Sequence, residues 1–328
     1  MKRRIAIVAM LIVAMAVFAG GSKESGDGTF TPSRDVTWTV TSNPGGGSDI
    51  FTQEAKNAMS TNGISDANIV IDYVTDGGGE VGRLNVSRMT GPRADHTILT
   101  FNSGDIMPML ANTDNRIENF TPLAVMAVDK QLLFAGDITK YQSWQEVLDA
   151  LAAGERVVIA GSKGDDIETY NALIKELGVD EAQLAYTTND STSTAITALL
   201  GGHVDLVLGK PAAAEQYVLA GRMKPILALS NERFPTELFK DAPTLSEFEG
   251  YDNVEVPVWR GVVGPKAMSD AAADYWTECL RQVSETEDWQ VGYIQRNALI
   301  SQFMDRHEAA EYMKQYQVDY LAKIGKDA

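Results

Sequence analysis

The chain has 328 residues, enough for two domains, and its apolar content of 44% and charged content of 22% are ordinary for a globular protein. The formal net charge of −17 argues against a nucleic-acid partner, which requires a basic surface. An anionic ligand stays possible, because backbone amides and a few cations can dominate the field inside a cleft.

The first 19 residues have the pattern of a secretory signal peptide. Three basic residues precede an apolar run from Ile5 to Val17, and Ala19 completes a small-residue cleavage motif. The run is shorter than the ~20 residues that a membrane-spanning helix needs. We therefore expect cleavage near Ala19, a flexible leader over residues 20–34 and a periplasmic protein, with lipid anchoring only if the sequence lacks a natural cysteine.

Strand-like and helix-like segments alternate along the rest of the chain. The predicted strands are 36–40, 69–74, 96–101, 123–128, 131–135, 156–160, 204–208 and 225–229. The predicted helices are 50–59, 81–89, 144–153, 167–177, 195–200 and 212–220, followed by a mostly helical region from 270 to 324. This alternation is typical of an α/β protein with largely parallel sheets.

A glycine-rich loop separates the first predicted strand from the first predicted helix. It contains Gly45, Gly46, Gly47, Ser48 and Asp49, with Ser48 or Asp49 as the expected N-cap. Unpaired amides at a helix N-terminus, together with the helix dipole, favour a bound carboxylate or phosphate. The same residues also fit a tight turn with a capped helix and no ligand.

A second strand–turn–helix unit has a similar design. Its turn contains Gly161, Ser162, Lys163, Gly164 and Asp165. Two such receptors that face each other across a cleft would hold one ligand between two lobes. Lys163 would then add a positive charge to an anion site, or it is a solvated lysine on a turn.

Lys210 and Pro211 follow another predicted strand, and the same two interpretations apply to Lys210.

Other motifs give little support for catalysis or cofactor binding. Residues 77–82 match G-x-G-x-x-G, but the glycine run itself supplies most of the pattern, and a structural turn is the favoured interpretation. The histidines, His96, His203 and His307, are scattered and have no metal-ligand spacing. We expect no cofactor, no metal and no catalytic residue, and a buried structural thiol at Cys279.

Seven sequence blocks resemble, in order, those of periplasmic solute-binding proteins of tripartite tricarboxylate transporters, the Bug-type receptors. Residues 198–205 match A-L-L-G-G-x-V-D closely, and residues 259–266 resemble W-R-G-x-x-x-P-K. The other five blocks are 44–49, 76–82, 119–124, 220–225 and 241–247. The resemblance runs from about Val36 to the C-terminus.

This resemblance implies a two-lobed clamp of the type II-like periplasmic binding protein class, in which each lobe is a sheet flanked by helices. The first lobe would comprise residues 35–129 and 230–328, and the second lobe residues 130–229. The chain would cross the hinge near 128–133 and again near 227–231.

The resemblance also implies which residues contact the ligand. Residues 45–49 would offer amides to one carboxylate, and residues 161–165 would meet it from the second lobe. Asn102, Ser103, Lys210 and Pro211 stand where family members line the cleft. The second loop departs from the family pattern, because a histidine is absent and three carboxylates enter. Asp165 and Asp166 either cap the helix or contact a cationic group or a hydroxyl of the ligand.

The expected function is therefore that of an extracytoplasmic receptor rather than an enzyme. It would capture a small organic anion, a di- or tricarboxylate, and deliver it to the large and small membrane subunits of a secondary transporter. We expect a monomer. The alternatives are a sensor module that presents its ligand to a receptor kinase, and an enzyme on the same two-lobed scaffold.

Overall fold

The computed structural model describes residues 30–326. The predicted signal peptide and residues 20–29 of the predicted leader lie outside this range. The described chain forms two β-sheets, and helices pack on each of them, as the predicted fold class requires.

Eleven strands make up the two sheets. They are β1 (Val36–Val40), β2 (Ile69–Tyr73), β3 (Thr97–Asn102), β4 (Phe120–Asp129), β5 (Gln131–Gly136), β6 (Val157–Ser162), β7 (Leu184–Asn189), β8 (Leu206–Gly209), β9 (Met223–Leu229), β10 (Val258–Pro265) and β11 (Ile300–Met304). The first sheet has the order β11-β4-β10-β3-β1-β2, and the second has the order β7-β6-β8-β5-β9. We call each sheet with its packed helices a lobe, so that the first lobe is six-stranded and the second is five-stranded.

Ten α-helices connect and cover these strands. They are α1 (Gly47–Thr61), α2 (Glu80–Ser87), α3 (Ser103–Asn112), α4 (Trp144–Ala152), α5 (Asp165–Leu177), α6 (Thr192–Leu200), α7 (Pro211–Leu219), α8 (Asp270–Glu285), α9 (Glu287–Trp289) and α10 (Arg306–Lys323). The caps follow the usual chemistry: the Ser143 side chain accepts from the amide of Glu146 at the start of α4, and α5 ends at the left-handed Gly178.

The sheets are mixed rather than largely parallel, so this part of the sequence prediction is wrong. Four strand pairs are parallel and five are antiparallel. The main reason is β10, which returns from late in the sequence and pairs antiparallel with both β3 and β4. Three strands, β7, β10 and β11, have no counterpart among the predicted elements.

Each sheet carries apolar side chains on both faces. In the first lobe, Trp38 and Trp276 belong to one buried cluster, and Phe101 and Trp259 belong to another. The second lobe likewise has two clusters, which contain Leu133 and Phe134 respectively, neighbours on β5 that point to opposite faces. Helices therefore cover both faces of each sheet, and the loops at the strand ends stay free to form a site.

The chain passes from the first sheet to the second between β4 and β5, at Lys130. After β9 it does not return at once. Phe234, Phe239 and Leu245 are buried in the clusters of the second lobe, and the chain rejoins the first sheet only at Val258. Nothing in the sequence indicated this packing, because these loop residues have no strand or helix periodicity, and the return was therefore predicted earlier, near 227–231.

Two further features bear on the sequence predictions. The glycine run forms a turn with φ values of 59°, 67° and 85° at Gly77, Gly78 and Gly79, and a Cβ on Gly79 would lie 2.6 Å from the carbonyl oxygen of Thr41. The thiol of Cys279 is buried on α8, and burial raises its pKa to about 11. Among residues 30–326, no helix combines the length and the apolar character that crossing a membrane would need.

Candidate functional site

Five helix N-termini converge on a small cleft between the two lobes. Helices α1 and α3 begin there from the first lobe, and α5, α6 and α7 begin there from the second, each after the carboxyl end of a strand. The cavity volume is about 50 Å³. Helix N-termini carry unpaired amides and a partial positive charge, so this arrangement favours anions.

The loop before α1 adopts a conformation that leaves its amides unpaired. Gly45 has a φ of 78°, Gly46 is the N-cap and the helix begins at Gly47. The predicted N-cap, Ser48 or Asp49, is therefore wrong by two or three residues. Within the described chain, no acceptor lies within hydrogen-bond reach of the amides of Gly47 and Ser48. Both residues line the cleft.

The Asp49 carboxylate holds this loop from behind instead of facing the cleft. Its Oδ2 accepts from the amide of Gly45 at 2.7 Å, and its Oδ1 accepts from the Tyr73 hydroxyl at 2.5 Å. With both oxygens engaged, Asp49 fixes the direction of the Gly46 and Gly47 amides.

Arg260, on β10, is a cleft residue that the sequence analysis did not select. Its guanidinium packs against Gly47, where a Cβ would lie 2.5 Å from Nη2. Nε donates to Asp129 at 3.1 Å, and Nη2 also binds Asp129, but Nη1 has no acceptor among the described residues. Burial disfavours the charge, yet Tyr293 and Asp129 outweigh it and raise the pKa of Arg260. The cleft therefore contains a permanent cation with one free arm.

The second loop repeats the arrangement of the first. Asp166 Oδ2 accepts from the amide of Ser162 at 2.6 Å and from its hydroxyl at 2.7 Å. Gly164, with a φ of 74°, is the N-cap of α5 and receives no side-chain cap. The capping role considered for Asp165 and Asp166 is thus absent, because Asp166 folds the preceding loop and Asp165 turns to Lys210.

Lys210 lies between the two carboxylates. Its ammonium binds Asp165 and Asp166, and Gln131 Nε2 donates to both of them at 3.1 Å. Burial raises the pKa of Asp166 to about 6 against the pull of Lys210, whereas the two carboxylates outweigh burial and raise the pKa of Lys210. Lys210 is therefore neither a free cation nor a solvated lysine, the two interpretations that the sequence left open, but the counter-ion of the acidic loop.

Lys163 projects from the second loop toward the first lobe. Its Nζ would lie 3.5 Å from a Cβ on Gly78, and it is 3.8 Å from Asp190 Oδ1. Nζ is buried and has no hydrogen-bond acceptor among the described residues. Burial lowers the pKa of Lys163. A buried ammonium without an acceptor is a candidate anion receptor.

The first lobe contributes one further polar wall. The Asn102 side chain caps α3 by accepting from the amide of Gly104 at 2.8 Å, and its Nδ2 donates to Ser48 Oγ at 2.9 Å. Asp105 accepts from the Thr41 hydroxyl at 2.5 Å and from Arg83 at 3.0 Å. These bonds tie α1, α2 and α3 into one rigid side of the cleft.

Eight of the fourteen predicted site residues line the cleft: Gly46, Gly47, Ser48, Asn102, Ser162, Lys163, Asp165 and Lys210. The other six stand directly beside it in the loops or at helix starts: Gly45, Asp49, Ser103, Gly161, Gly164 and Pro211. The cleft also contains residues that were not predicted, chiefly Arg260, Ser191 and Thr192. A basic residue within a strand-like apolar stretch was the available signal for Arg260.

The two lobes contact each other around the cleft. A Cβ on Gly164 would lie 2.7 Å from the Cα and the carbonyl oxygen of Gly104, so the two backbones touch. Ser193 Oγ donates to the Pro44 carbonyl at 2.9 Å. Two ion pairs also join the opposite lobes. Lys323 on α10 pairs with Glu168 on α5, and Arg296, in the turn before β11, pairs with Glu215 on α7. This is a closed arrangement of the clamp.

The described residues, 30–326, hold no group of three or more His, Cys, Asp or Glu side chains placed to bind a metal ion.

The sequence profile described as "Tripartite tricarboxylate transporter family receptor" matches residues 51–317. A relative from Pseudomonas sp. (strain P51), named "UPF0065 protein in tcbD-tcbE intergenic region", is 26% identical over 242 residues, which are 72% of this chain and 69% of that protein.

Two solved structures have the same fold. MatC from Rhodopseudomonas palustris, with bound malate, gives a TM-score of 0.73 at 20% identity and covers 89% of this chain and 98% of its own. Rpa4515 from R. palustris, with adipate, gives a TM-score of 0.72 at 16% identity over 90% and 98% of the two chains.

Proposed function

Because the chain belongs to the receptor family of tripartite tricarboxylate transporters, we propose that it captures a small organic anion in the interlobe cleft and delivers it to the membrane subunits of such a transporter. The family is one of solute-binding receptors. The observation that carries the proposal is the free receptor at the start of α1, where the Gly47 and Ser48 amides and Arg260 Nη1 have no acceptor among the described residues.

The chemistry of this receptor suits a carboxylate. Two amides at a helix N-terminus and one arm of a guanidinium offer three donors and a positive field to one anionic group. Lys163 offers a second cation at the other side of the cleft. A di- or tricarboxylate would place one carboxylate on each, and malate and adipate, the ligands of the two relatives by fold, are dicarboxylates.

Binding and closure are coupled in this proposal. The ligand would contact Ser48 and Arg260 in the first lobe together with Ser162 and Lys163 in the second, which only a closed clamp permits. A ligand with such differential contacts shifts the population toward the closed form. The remaining predicted site residues would act by shaping the two loops and the helix starts, without catalytic chemistry.

The lobe boundaries belong to the same proposal. We place the first crossing at Lys130, and the return between Val254 and Val258 in place of the predicted 227–231, since the intervening segment packs on the second lobe. We also propose export by the signal peptide with cleavage near Ala19, and a monomeric receptor.

Thermal unfolding tests the binding proposal. The chain from residue 20, refolded to remove endogenous ligand, is heated with a panel of mono-, di- and tricarboxylates at ~1 mM. A micromolar ligand stabilises the native state by about 4 kcal/mol at this concentration, a shift of several degrees. We expect such a shift for one class of acid and none for neutral sugars.

Arg260→Lys is the informative variant, because it keeps the buried charge beside Asp129 but removes the free guanidinium arm. We expect affinity to fall at least tenfold. The matched control is Arg222→Lys, an exposed arginine paired with Asp137 within the second lobe. A folded wild-type protein that no carboxylate stabilises would contradict the proposal.

A further inference from the structure

We infer that the ligand carries an ammonium group next to its carboxylate, and that Asp165 is the residue that recognises it. The inference rests on the proposed function, since it assigns the second half of the head group that the receptor at α1 binds. It is specific to this chain, because it depends on a carboxylate at the first position of α5.

The charges that line the cleft cancel. Three cations and three anions lie on its surface: Lys163, Lys210, Arg260, Asp105, Asp165 and Asp190. Three charged residues lie directly behind this lining: Arg83, Asp129 and Asp166. They pair with Asp105, Arg260 and Lys210 respectively, and their charges sum to −1. A ligand with net charge −2 would lose its hydration in a cleft whose lining has no net positive charge, and this desolvation is unfavourable. A ligand that also carries an ammonium group has a smaller net charge and a smaller cost.

Asp165 has an oxygen to offer. The residue is 3% exposed, and its Oδ2 takes both Lys210 and Gln131. Its Oδ1 accepts no hydrogen bond from any described residue and lies beside Gly104 of the first lobe, where a Cβ would stand 2.2 Å from it. Asp165 lines the cleft, so a donor on the ligand would replace water at this oxygen and stabilise the complex.

The other carboxylates of the cleft are less suited. Asp105 already accepts from Thr41, Arg83 and the amide of Asn102. The side chain of Asp190 is 61% exposed and remains hydrated, so it would gain little from a ligand cation.

The proposed carboxylate site at Arg260 and the proposed ammonium site at Asp165 have opposite charges and do not neutralise each other directly. Arg260 and Asp165 influence each other electrostatically, but no ion pair joins them. The Arg260 arm and the α1 amides would take the ligand carboxylate, and Asp165 Oδ1 would take the adjacent ammonium. An acid with an α-amino group carries both charges and could therefore engage both residues of this one small cleft.

The test compares acids with and without the amine on the same carbon skeleton. The pairs are alanine with propionate, aspartate with succinate and glutamate with glutarate, and malate supplies a hydroxyl in place of the amine. Dissociation constants are measured by titration calorimetry on the refolded wild-type chain. We expect at least one amino acid to bind ten- to a hundredfold more tightly than its amine-free partner and more tightly than malate.

The variant Asp165→Asn keeps the size of the side chain and an oxygen acceptor but removes the charge. We expect it to reduce the preference for the amine, measured as the ratio of the two dissociation constants on the same variant, to threefold or less. Asp149→Asn removes an exposed carboxylate from α4 of the same lobe and should leave the preference intact.

Several outcomes would overturn the inference. One is that the amine-free acid binds equally or more tightly in every pair that binds. Another is that malate binds more tightly than aspartate. A third is that the preference for the amine survives in a folded Asp165→Asn protein. The wild-type comparison stands even if the variant does not fold. Failure of every acid to bind would instead overturn the proposed function, so the two failures are distinguishable.

Discussion

Asp49 and Asp166 perform the same task in the two lobes. Each accepts from a backbone amide four residues earlier and thereby holds the loop that precedes a helix at the cleft. Asp49 has a tyrosine hydroxyl as its second partner, whereas Asp166 has Lys210 and is fully buried. The second loop is therefore held by a charged network, and its geometry depends on the ionisation of Asp166.

This dependence predicts a pH effect on stability. Burial raises the pKa of Asp166 to about 6, above the ~3.9 of an unfolded aspartate. The native state therefore binds more protons than the unfolded state between pH ~4 and ~6, and its stability falls as the pH rises through this window. Relative to Asp166→Asn, wild type should lose about 2 kcal/mol from pH 4 to pH 7 in urea unfolding.

The exposed carboxylate of Asp149 provides the control for this measurement. The difference between wild type and Asp149→Asn should stay nearly flat over the same range. A flat difference for Asp166→Asn as well would mean that Asp166 titrates alike in the folded and unfolded states.

For individual residues, the sequence predicted which loops form the site better than it predicted which side chains contact one another. The glycines of both loops and Lys210 could be found from their position between strand and helix. For Arg260 the sequence offered only a basic residue within an apolar stretch, because its role depends on Asp129 and Gly47, which lie more than 130 residues away in the chain. The ion pairs of Lys210 with Asp165 and Asp166 were not predicted for the same reason, since these partners come from another strand–helix unit.

The start of α5 is in backbone contact with the other lobe, so its geometry is linked to closure of the clamp. Gly164 combines a φ of 74° with a ψ of −113°, a region that non-glycine residues rarely adopt. Its Cα also faces the backbone of Gly104 in the other lobe. A side chain at this position would strain the loop and hold the lobes apart.

Gly164→Ala should therefore weaken ligand binding by tenfold or more and enlarge the radius of gyration of the ligand-bound protein in X-ray scattering. Gly178→Ala, at the other end of α5, is the matched control. Its φ of 65° carries a strain of about 1–2 kcal/mol, but no atom lies within 4 Å of the new Cβ. It should lower stability and leave affinity unchanged. Similar affinities for the two variants would refute the assigned role of Gly164.

Prediction of the elements succeeded where the periodicity is local. The strands β1, β2, β5 and β6 were placed to within one or two residues from their short runs of strand-forming residues. The helices α4 and α5 were placed as closely, because Ser143 caps the first and glycines flank the second. β10 was missed although it is a central strand of the first sheet. Its eight buried residues form a continuous run without alternation, so periodicity alone does not distinguish it from a buried helical segment.

Across the whole molecule, peripheral contacts hold the lobes together without any ligand. Lys323 with Glu168 and Arg296 with Glu215 connect opposite lobes near the rim of the clamp. The two cationic side chains are more than half exposed, so each pair contributes a few tenths of a kcal/mol to about 1 kcal/mol, and salt screens both. These pairs would bias the clamp toward closure only modestly.

The double variant Lys323→Ala/Arg296→Ala should bind its ligand about fivefold more weakly at low salt, since a loss of about 1 kcal/mol disfavours the closed form. The difference from wild type should shrink as the salt concentration rises. The control is Arg222→Ala/Lys140→Ala, which removes two exposed pairs inside the second lobe. If both double variants bind alike, the rim pairs have no part in closure.

The two-lobed architecture was predictable from the family resemblance, but the path between the lobes was only partly so. The first crossing follows from two adjacent strands, β4 and β5, that a single residue separates. The segment after β9 has no periodicity, and its attachment to the second lobe depends on Phe234 and Phe239 filling space beneath that sheet. Such packing is determined by the volume left between elements rather than by local pattern.

Because the native thiol of α8 is buried, labels on introduced cysteines can be used to follow the motion of the clamp. The sequence contains one cysteine, and Cys279 is 3% exposed with its pKa raised by burial to about 11, so it reacts slowly with thiol reagents at neutral pH. Cysteines introduced at exposed positions, such as Ser60 in the first lobe and Ala153 in the second, would therefore take fluorescent labels selectively. A single molecule labelled in this way would report opening and closing as a change in energy transfer, with the native thiol left in place.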